Sequence, residues 1–352
     1  MKGISRTLLT NLFFAFSVYS AIGQDKLFTQ AFAHPVDLNP ALSGAIEGKY
    51  RATIAYRDQW RSFIESQYTT IGIYGDIKII PQEHSDDYFG AAFSLIADHT
   101  AIYNVNQNIL SLYGSYHKSL NKSQDKYLSA GLSLGIAQRN MNYEEIYFND
   151  QFNGLDMYSL GTAEILPSNN FAFLDIGLGV AYTSKIADYS NMSFGVSVDH
   201  LQGSSISFYN HSIYQDVEYP DAKIYRKLTA FVSMELGSSE YLAVLPRVYW
   251  QNEGPHNMLT AAALVKFDLT NYDNQALHFG GGVRFNQTYE SAFKTSAFYL
   301  MTAYELEGLL IGLSHDFTTT SLGAQSPGRG AFELSISFTG LYENESNMCP
   351  TF

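Results

Sequence analysis

The sequence predicts an all-β protein, a transmembrane antiparallel β-barrel of about fourteen strands with long outer loops and short periplasmic turns. Three observations carry that expectation: two-faced strands, an alternation of short and long connections, and a composition poor in charge but rich in aromatics. The stretch YLSAGLSLGIAQRN (127–140) shows the first. Side chains of a strand alternate between faces, so one face reads Leu128, Ala130, Leu132, Leu134 and Ile136, and the other Ser129, Gly131, Ser133, Gly135 and Ala137. A soluble sheet would carry Lys, Glu and Thr on its wet face. A face of small residues suits the interior of a closed barrel, with the leucines toward lipid. Only 16% of the residues are charged, below the roughly 25% usual for soluble domains, while aromatics reach 15%.

In chain order, the first element is a targeting segment. Lys2 and Arg6 precede an apolar run from Leu8 to Val18, and Ala21-Ile22-Gly23 forms a small-x-small site before Gln24. Residues 1–23 therefore read as a signal peptide cleaved near Gly23. The run is too short for a comfortable membrane anchor, and no cysteine follows for lipidation. Beyond it no stretch of about 18 apolar residues marks a spanning helix. Residues 24–46 form a turn-rich N-terminal segment, 47–341 the barrel, and 342–352 a polar C-terminal tail.

Strands are expected near 47–57, 66–77, 88–98, 104–118, 125–138, 172–186, 189–201, 223–236, 240–250, 256–270, 275–286, 293–305, 308–319 and 329–341. Each has about ten residues or more, as a transmembrane strand requires. From the fourth onward every second connection is short, whereas 139–171 and 202–222 are long. The connection 78–87 departs from that parity. An even strand count returns the chain to the periplasmic rim where it began. Tyr182, Tyr189, Phe194, Tyr225 and Phe231 sit near strand ends, where aromatic girdles form.

Chemistry-bearing motifs are sparse. Ser314-His315-Asp316 contains the residue types of a catalytic triad, yet neighbours on a strand point to opposite faces and cannot converge. The nine histidines show no metal-ligand spacing, and Gly280-Gly281-Gly282 lies within a strand rather than before a helix. Those glycines suit close packing against an interior plug or a bend in the wall. The sequence thus points to no enzyme, no cofactor and no metal. A net charge of −13 argues against a nucleic-acid partner, and the single cysteine, Cys349, excludes an intramolecular disulfide.

The N-terminal region is more distinctive. FTQAFAHPVDLNPALSG (28–44) precedes YRATIAYRDQW (50–60), which closes on Arg57, Gln59 and Trp60. Further stretches are FNDQFNG (148–154), DIGLGVAY (175–182), FGVSVDHL (194–201), IGLSHDF (311–317), RGAFELSISF (329–338) and a terminal CPTF (349–352). In order and spacing these resemble the PorP/SprF family of the Bacteroidetes type IX secretion system. Its members open on an Asn-Pro-Ala-x-x-Gly segment followed by a strand ending in Arg-x-Gln-Trp. His315 stands where the family usually has Tyr, and Thr351 where it often has Arg.

The resemblance implies a multi-pass outer-membrane barrel, embedded in lipid, that supports secretion, surface attachment or gliding-adhesin export by binding other proteins. On that reading the outer loops meet a secreted passenger or its C-terminal sorting domain, and the periplasmic side meets other type IX components. The alternative from a different class is a diffusion channel or hydrophobic-solute transporter. Asn39, Pro40 and Gly44 are candidates for a luminal plug or a partner contact, the plain alternative being a turn leading into the barrel. Arg57, Gln59 and Trp60 are further candidates for such contacts. Cys349, Pro350 and Phe352 form an apolar tip on a polar tether, suited to a periplasmic partner or the barrel mouth. Asp175, Asp199, Arg284 and Glu333 fall on small-residue faces and are expected inside the lumen, gripping a plug, lining a solute path, or compensating one another.

Overall fold

The structure, a computed structural model, describes residues 26–61, 67–81, 86–100, 105–144, 146–209, 222–239, 241–270, 275–287, 292–319 and 330–340. Residues 1–25, with the expected signal peptide, and 341–352, with Cys349, Pro350 and Phe352, lie outside the described residues. Fourteen antiparallel strands close into a barrel. They are β1 (Tyr50–Gln59), β2 (Tyr68–Ile79), β3 (Tyr88–Thr100), β4 (Val105–Ser119), β5 (Lys126–Asn140), β6 (Asn170–Ala187) and β7 (Ser190–Asp199). The second half comprises β8 (Lys227–Ser239), β9 (Leu242–Glu253), β10 (His256–Thr270), β11 (Gln275–Gln287), β12 (Phe293–Leu306), β13 (Leu309–Thr318) and β14 (Gly330–Gly340). Each strand pairs with its sequence neighbours, and β1 pairs with β14 from Tyr50↔Gly340 to Gln59↔Ala331. No backbone edge is left facing lipid, which is what lets a sheet cross a membrane.

The two faces of β5 divide as its alternation predicts. Leu128, Leu132, Leu134 and Ile136 are exposed on the outer wall, while Ser129, Ser133 and Ala137 are buried inside. One aromatic departs from the expected girdle: Phe231 on β8 is 3% exposed and packs inward against Leu38, Ala41 and Leu42. Its inward parity follows from Lys227 and Thr229, both buried on the same strand. The run Gly280-Gly281-Gly282 also serves another purpose than expected. A Cβ at Gly282 would collide with the Tyr299 ring from β12, so this glycine makes room for a side chain of the wall itself.

Both described ends of the barrel, Tyr50 and Gly340, lie on the rim with the short turns, the periplasmic rim by the rule for such barrels. The long connections 141–169 and 200–226 leave the opposite rim. Residues 146–169 hold their own order: Asn149–Gln151 form a 3-10 turn, and Asn153 Oδ1 accepts the N–H groups of Leu155, Asp156 and Met157.

Candidate functional site in the barrel lumen

Residues 26–46 run inside the barrel rather than below it. Proline fixes φ near the helical value and lacks an N–H, so it suits the first position of a short helical turn. Pro35 and Pro40 each open such a turn, Pro35–Asp37 and Pro40–Leu42, after Ala31–Ala33. Asn39, in extended conformation, caps the last turn by accepting the Ala41 N–H at 2.9 Å. Short turns with few side-chain bulges make a compact strand of chain that a lumen of this size accommodates.

The segment descends from the outer half of the lumen toward the periplasm, held at four levels. Phe28 and Thr29 mark the top. Phe28 packs with Phe171, Ile206 and Ile224, residues from the outer end of β6 and the 200–226 connection. Beside it, Thr29 is the centre of an ionic cluster. Arg57 Nη1 and Arg284 Nη2 donate to Thr29 Oγ1 at 2.7 and 3.1 Å, and that hydroxyl donates to Asp316 Oδ1 at 2.8 Å. Arg57 bridges Asp316 and Glu333 at 3.0 Å each, and Arg284 reaches Asp316 at 3.1 Å. The fully buried Glu333 accepts the backbone N–H groups of Thr29 and Gln30 at 2.7 Å each. Two arginines thus face two carboxylates, and the carboxylates also bind main-chain donors of the segment. Charge-assisted bonds of this kind are about twice as strong as neutral ones.

Strand geometry explains the convergence. Arg57 and Glu333 are direct partners across β1 and β14, and Ser314 and Asp316 share the inner face of β13. Arg284 sits at a β-bulge, where β12 carries the extra residue Ser296, whose hydroxyl donates to the Arg284 carbonyl. β11 itself stays in register with β10 from Leu277 to Asn286, so Arg284 keeps the inward parity of its strand.

At the second level Asp37 accepts from the Tyr74 hydroxyl at 2.6 Å and from Tyr113 at 3.4 Å, with Lys26 Nζ 3.5 Å away. Burial by itself raises a carboxyl pKa; here Lys26, His34 and Tyr74 outweigh it and hold Asp37 well below the usual range. His34 stacks flat on Tyr74, ring centroids 4.6 Å apart.

The third level is Asn39. Its Nδ2 donates to the carbonyls of Val180 and Val196, 3.0 Å each, and Ser197 Oγ donates to the Leu38 carbonyl at 2.8 Å. A Cβ at Gly179 would overlap the Asn39 amide, and one at Gly131 would overlap the Pro40–Ala41 backbone. The small inner faces of β5 and β6 are therefore the seat of this segment. At the fourth level the Ser43 carbonyl accepts from Ser115 Oγ at 2.7 Å and lies 2.8 Å from His117 Nε2. The Gly44 N–H donates to Asp76 at 3.2 Å. Gly44 takes φ +70°, and a Cβ there would stand 2.6 Å from Gly90 Cα; this position requires glycine.

The remaining expected residues divide. Gln59 accepts from Arg57 at 3.4 Å, but Trp60 stacks edge-on against Tyr68 at the outer end of β1, away from the segment. All four expected luminal charges point inward, yet only Arg284 and Glu333 join the cluster. Asp175 meets His200 Nδ1 at 2.9 Å and Asp199 meets Lys227 Nζ at 3.8 Å on the opposite wall. Thr29, Gln30, Asp37 and Asp316 belong to the site although sequence reasoning passed them over. The parity of Asp316 with Ser314 was the available signal.

Below the cluster the lumen opens into a cavity of about 440 Å³, lined on the periplasmic side by Lys266, Glu305, Gly308 and Thr339. Among the described residues no group of His, Cys, Asp and Glu is arranged to hold a metal ion.

In three dimensions the chain is similar to the TodX monoaromatic hydrocarbon channel deltaS2 mutant, with 9% identity and a TM-score of 0.50, covering 87% of this chain and 93% of that one. It is likewise similar to the CymD monoaromatic hydrocarbon channel, with 9% identity and a TM-score of 0.50, covering 92% and 96%. At such identity the likeness is one of fold, that of outer-membrane barrels. No curated protein matches the sequence. The profile of the family described as type IX secretion system membrane protein PorP/SprF matches residues 20–338, nearly the whole barrel with its luminal segment. The chain is an outer-membrane β-barrel belonging to the PorP/SprF family of type IX secretion system membrane proteins.

Proposed function

We propose that the protein works as a closed barrel, plugged by its own residues 26–46, that binds partner proteins in type IX secretion and lets no solute diffuse through. The observation that carries this reading is the seating of the segment. The Thr29 and Gln30 N–H groups end on the buried Glu333, and the Asn39–Ala41 stretch rests on Gly131 of β5 and Gly179 of β6. Buried ionic networks are costly to break, because removal of one partner strands the others. A diffusion pathway would require that network to open for each passage. The names of the two structural neighbours speak of hydrocarbon channels, but a shared barrel does not carry a shared cargo.

With the lumen closed, work is left to the two rims. The 141–169 connection presents Tyr147, Leu155, Met157 and Ile165 as exposed apolar side chains on an ordered loop, a surface suited to a secreted passenger or its sorting domain. The short turns face other components of the secretion system. Replacing residues 142–168 by a short Gly-Ser linker tests the assignment. The barrel should still insert, while the passenger fails to reach or remain on the cell surface. Normal surface display with the loop removed contradicts the outer-rim role.

A further inference from the structure

The barrel wall is interrupted beside its cavity. Between β8 and β9 the ladder runs from Lys227↔Glu253 to Ser233↔Arg247, stops, and resumes at Leu236↔Val244 in the same register. The position opposite Met234 in that register is Pro246, which has no N–H to give. On its other side Pro246 pairs with Ala263 of β10 in an unbroken ladder, so the missing bond belongs to the β8 side. Below the interruption, among the described residues, Leu236↔Val244, Gly237↔Ala243 and, past a bulge, Ser239↔Leu242 tie the two strands. The other ladders carry at most a single bulge and no gap of this kind. A backbone carbonyl without a donor is costly in lipid, and proline is rare in the middle of a sheet.

The interruption stands against the cavity. Glu235 and Leu245, opposite each other within the gap, both line it. Its floor is apolar: Leu245 and Leu264 are buried together with Ala243, and Met301 packs against them. Toward the mouth the lining carries both signs of charge, with Lys266 Nζ 3.6 Å from Asp268 and 3.7 Å from Glu305. On the lipid side Leu236, Val244 and Val248 are exposed, and Pro246, Ala263 and Gly281 stand side by side, a row of small residues that keeps the wall thin.

We propose that the cavity takes an acyl chain of a zwitterionic phospholipid from the periplasmic leaflet, which enters between β8 and β9. The hydrocarbon meets Leu245, Leu264 and Met301; the phosphate of the head meets Lys266, and its amine meets the carboxylates of Asp268 and Glu305. A cavity of about 440 Å³ lies within the range of small-molecule sites, about 300–1,000 Å³. The path joins the cavity to the membrane and leaves the outer half of the lumen closed, so it goes beyond the closed-barrel reading without opposing it.

The test uses the purified chain in phosphatidylethanolamine vesicles, with a trace of the same lipid bearing a photoreactive diazirine near the end of one acyl chain. After irradiation, peptide mass spectrometry should find the label on Leu264 and Met301 inside the barrel, as well as on the lipid-facing Phe279. Pro246→Ala restores the N–H and should lower the inner labelling about tenfold while leaving Phe279 unchanged. Leu236→Cys with Val244→Cys, in a Cys349→Ser chain, gives a second closure at a cross-strand pair, locked by oxidation and released by reduction in the same protein. Inner labelling absent from the unaltered chain would overturn the proposal. So would inner labelling unchanged by oxidation of the lock, which would mean entry through the periplasmic mouth. The readout involves neither secretion nor conductance, so its outcome is separate from that of the closed-barrel reading.

Discussion

Toward the outer rim the lumen is filled, and its charges answer one another: Arg57 and Arg284 against Asp316 and Glu333, with Thr29 between them. Toward the periplasm the same barrel encloses a cavity of about 440 Å³ in which Arg247 lies over the Phe32 ring at 4.9 Å and forms no ion pair among the described residues. Both halves use the same strands and the same inner-face parity. The difference lies in what the N-terminal segment brings with it. Where it supplies main-chain N–H groups and a hydroxyl, the buried carboxylates and guanidinia are paired. Where it turns aside to enter β1, the wall keeps its charged lining and an open space. A barrel wall thus sets the scaffold, and a short stretch of chain decides which part of it is shut.

The contrast can be broken most severely at Glu333. Glu333→Ala leaves two buried arginines against one carboxylate and removes the acceptor of two main-chain N–H groups, an imbalance of about 3–5 kcal/mol. Heat-modified mobility on gels, a standard readout of barrel integrity, should show unfolding at clearly lower temperature. An unchanged transition would remove the cluster from the account. Arg placed on the lipid face comes next: Leu132→Arg should cost about 2–4 kcal/mol near the midplane and impair assembly. Ser133→Arg, pointing inward, should assemble better, and equal behaviour would mean the faces are reversed.

A volume test compares the two halves directly. Ala331→Leu adds bulk in the filled outer half, where overpacking costs about 1–3 kcal/mol, whereas Ala303→Leu grows into the cavity and should cost far less. Equal losses would show that the cavity is no looser than the cluster. The smallest effect concerns Asp37. Its folded pKa is depressed from 3.8, so the stability it contributes is fully present above the unfolded value and is lost as pH falls through the folded one. Seating of the segment, followed by protease resistance after Lys26, should therefore stay flat from neutral pH down to about pH 5 and weaken only in stronger acid. Loss of protection between pH 5 and 7 would assign the seating to another group.

The barrel was legible because its signal is local: alternation along β5 or β6 repeats every second residue and needs no knowledge of partners. The turn-rich character of residues 28–44 was legible from Pro35, Asn39-Pro40 and Gly44 for the same reason. The ionic cluster was not. Thr29 meets Glu333 across 304 positions and Asp316 across 287, and Arg284 meets Asp316 only because β11, β12 and β13 stand side by side. Asp316 stood within a stretch read for a catalytic triad and for the family resemblance, and neither reading considered the aspartate by itself. Phe231 was assigned to the girdle by its position near a strand end, when parity with Thr229 places it inside.

Conductance of the purified protein in planar bilayers tests the central claim most directly. The intact chain should show no steady ohmic current, whereas a variant lacking residues 26–44, folded into the same bilayers, should open a stable pore. A steady open current from the intact chain, equal to that of the deletion, would contradict a lumen closed by its own N-terminal segment.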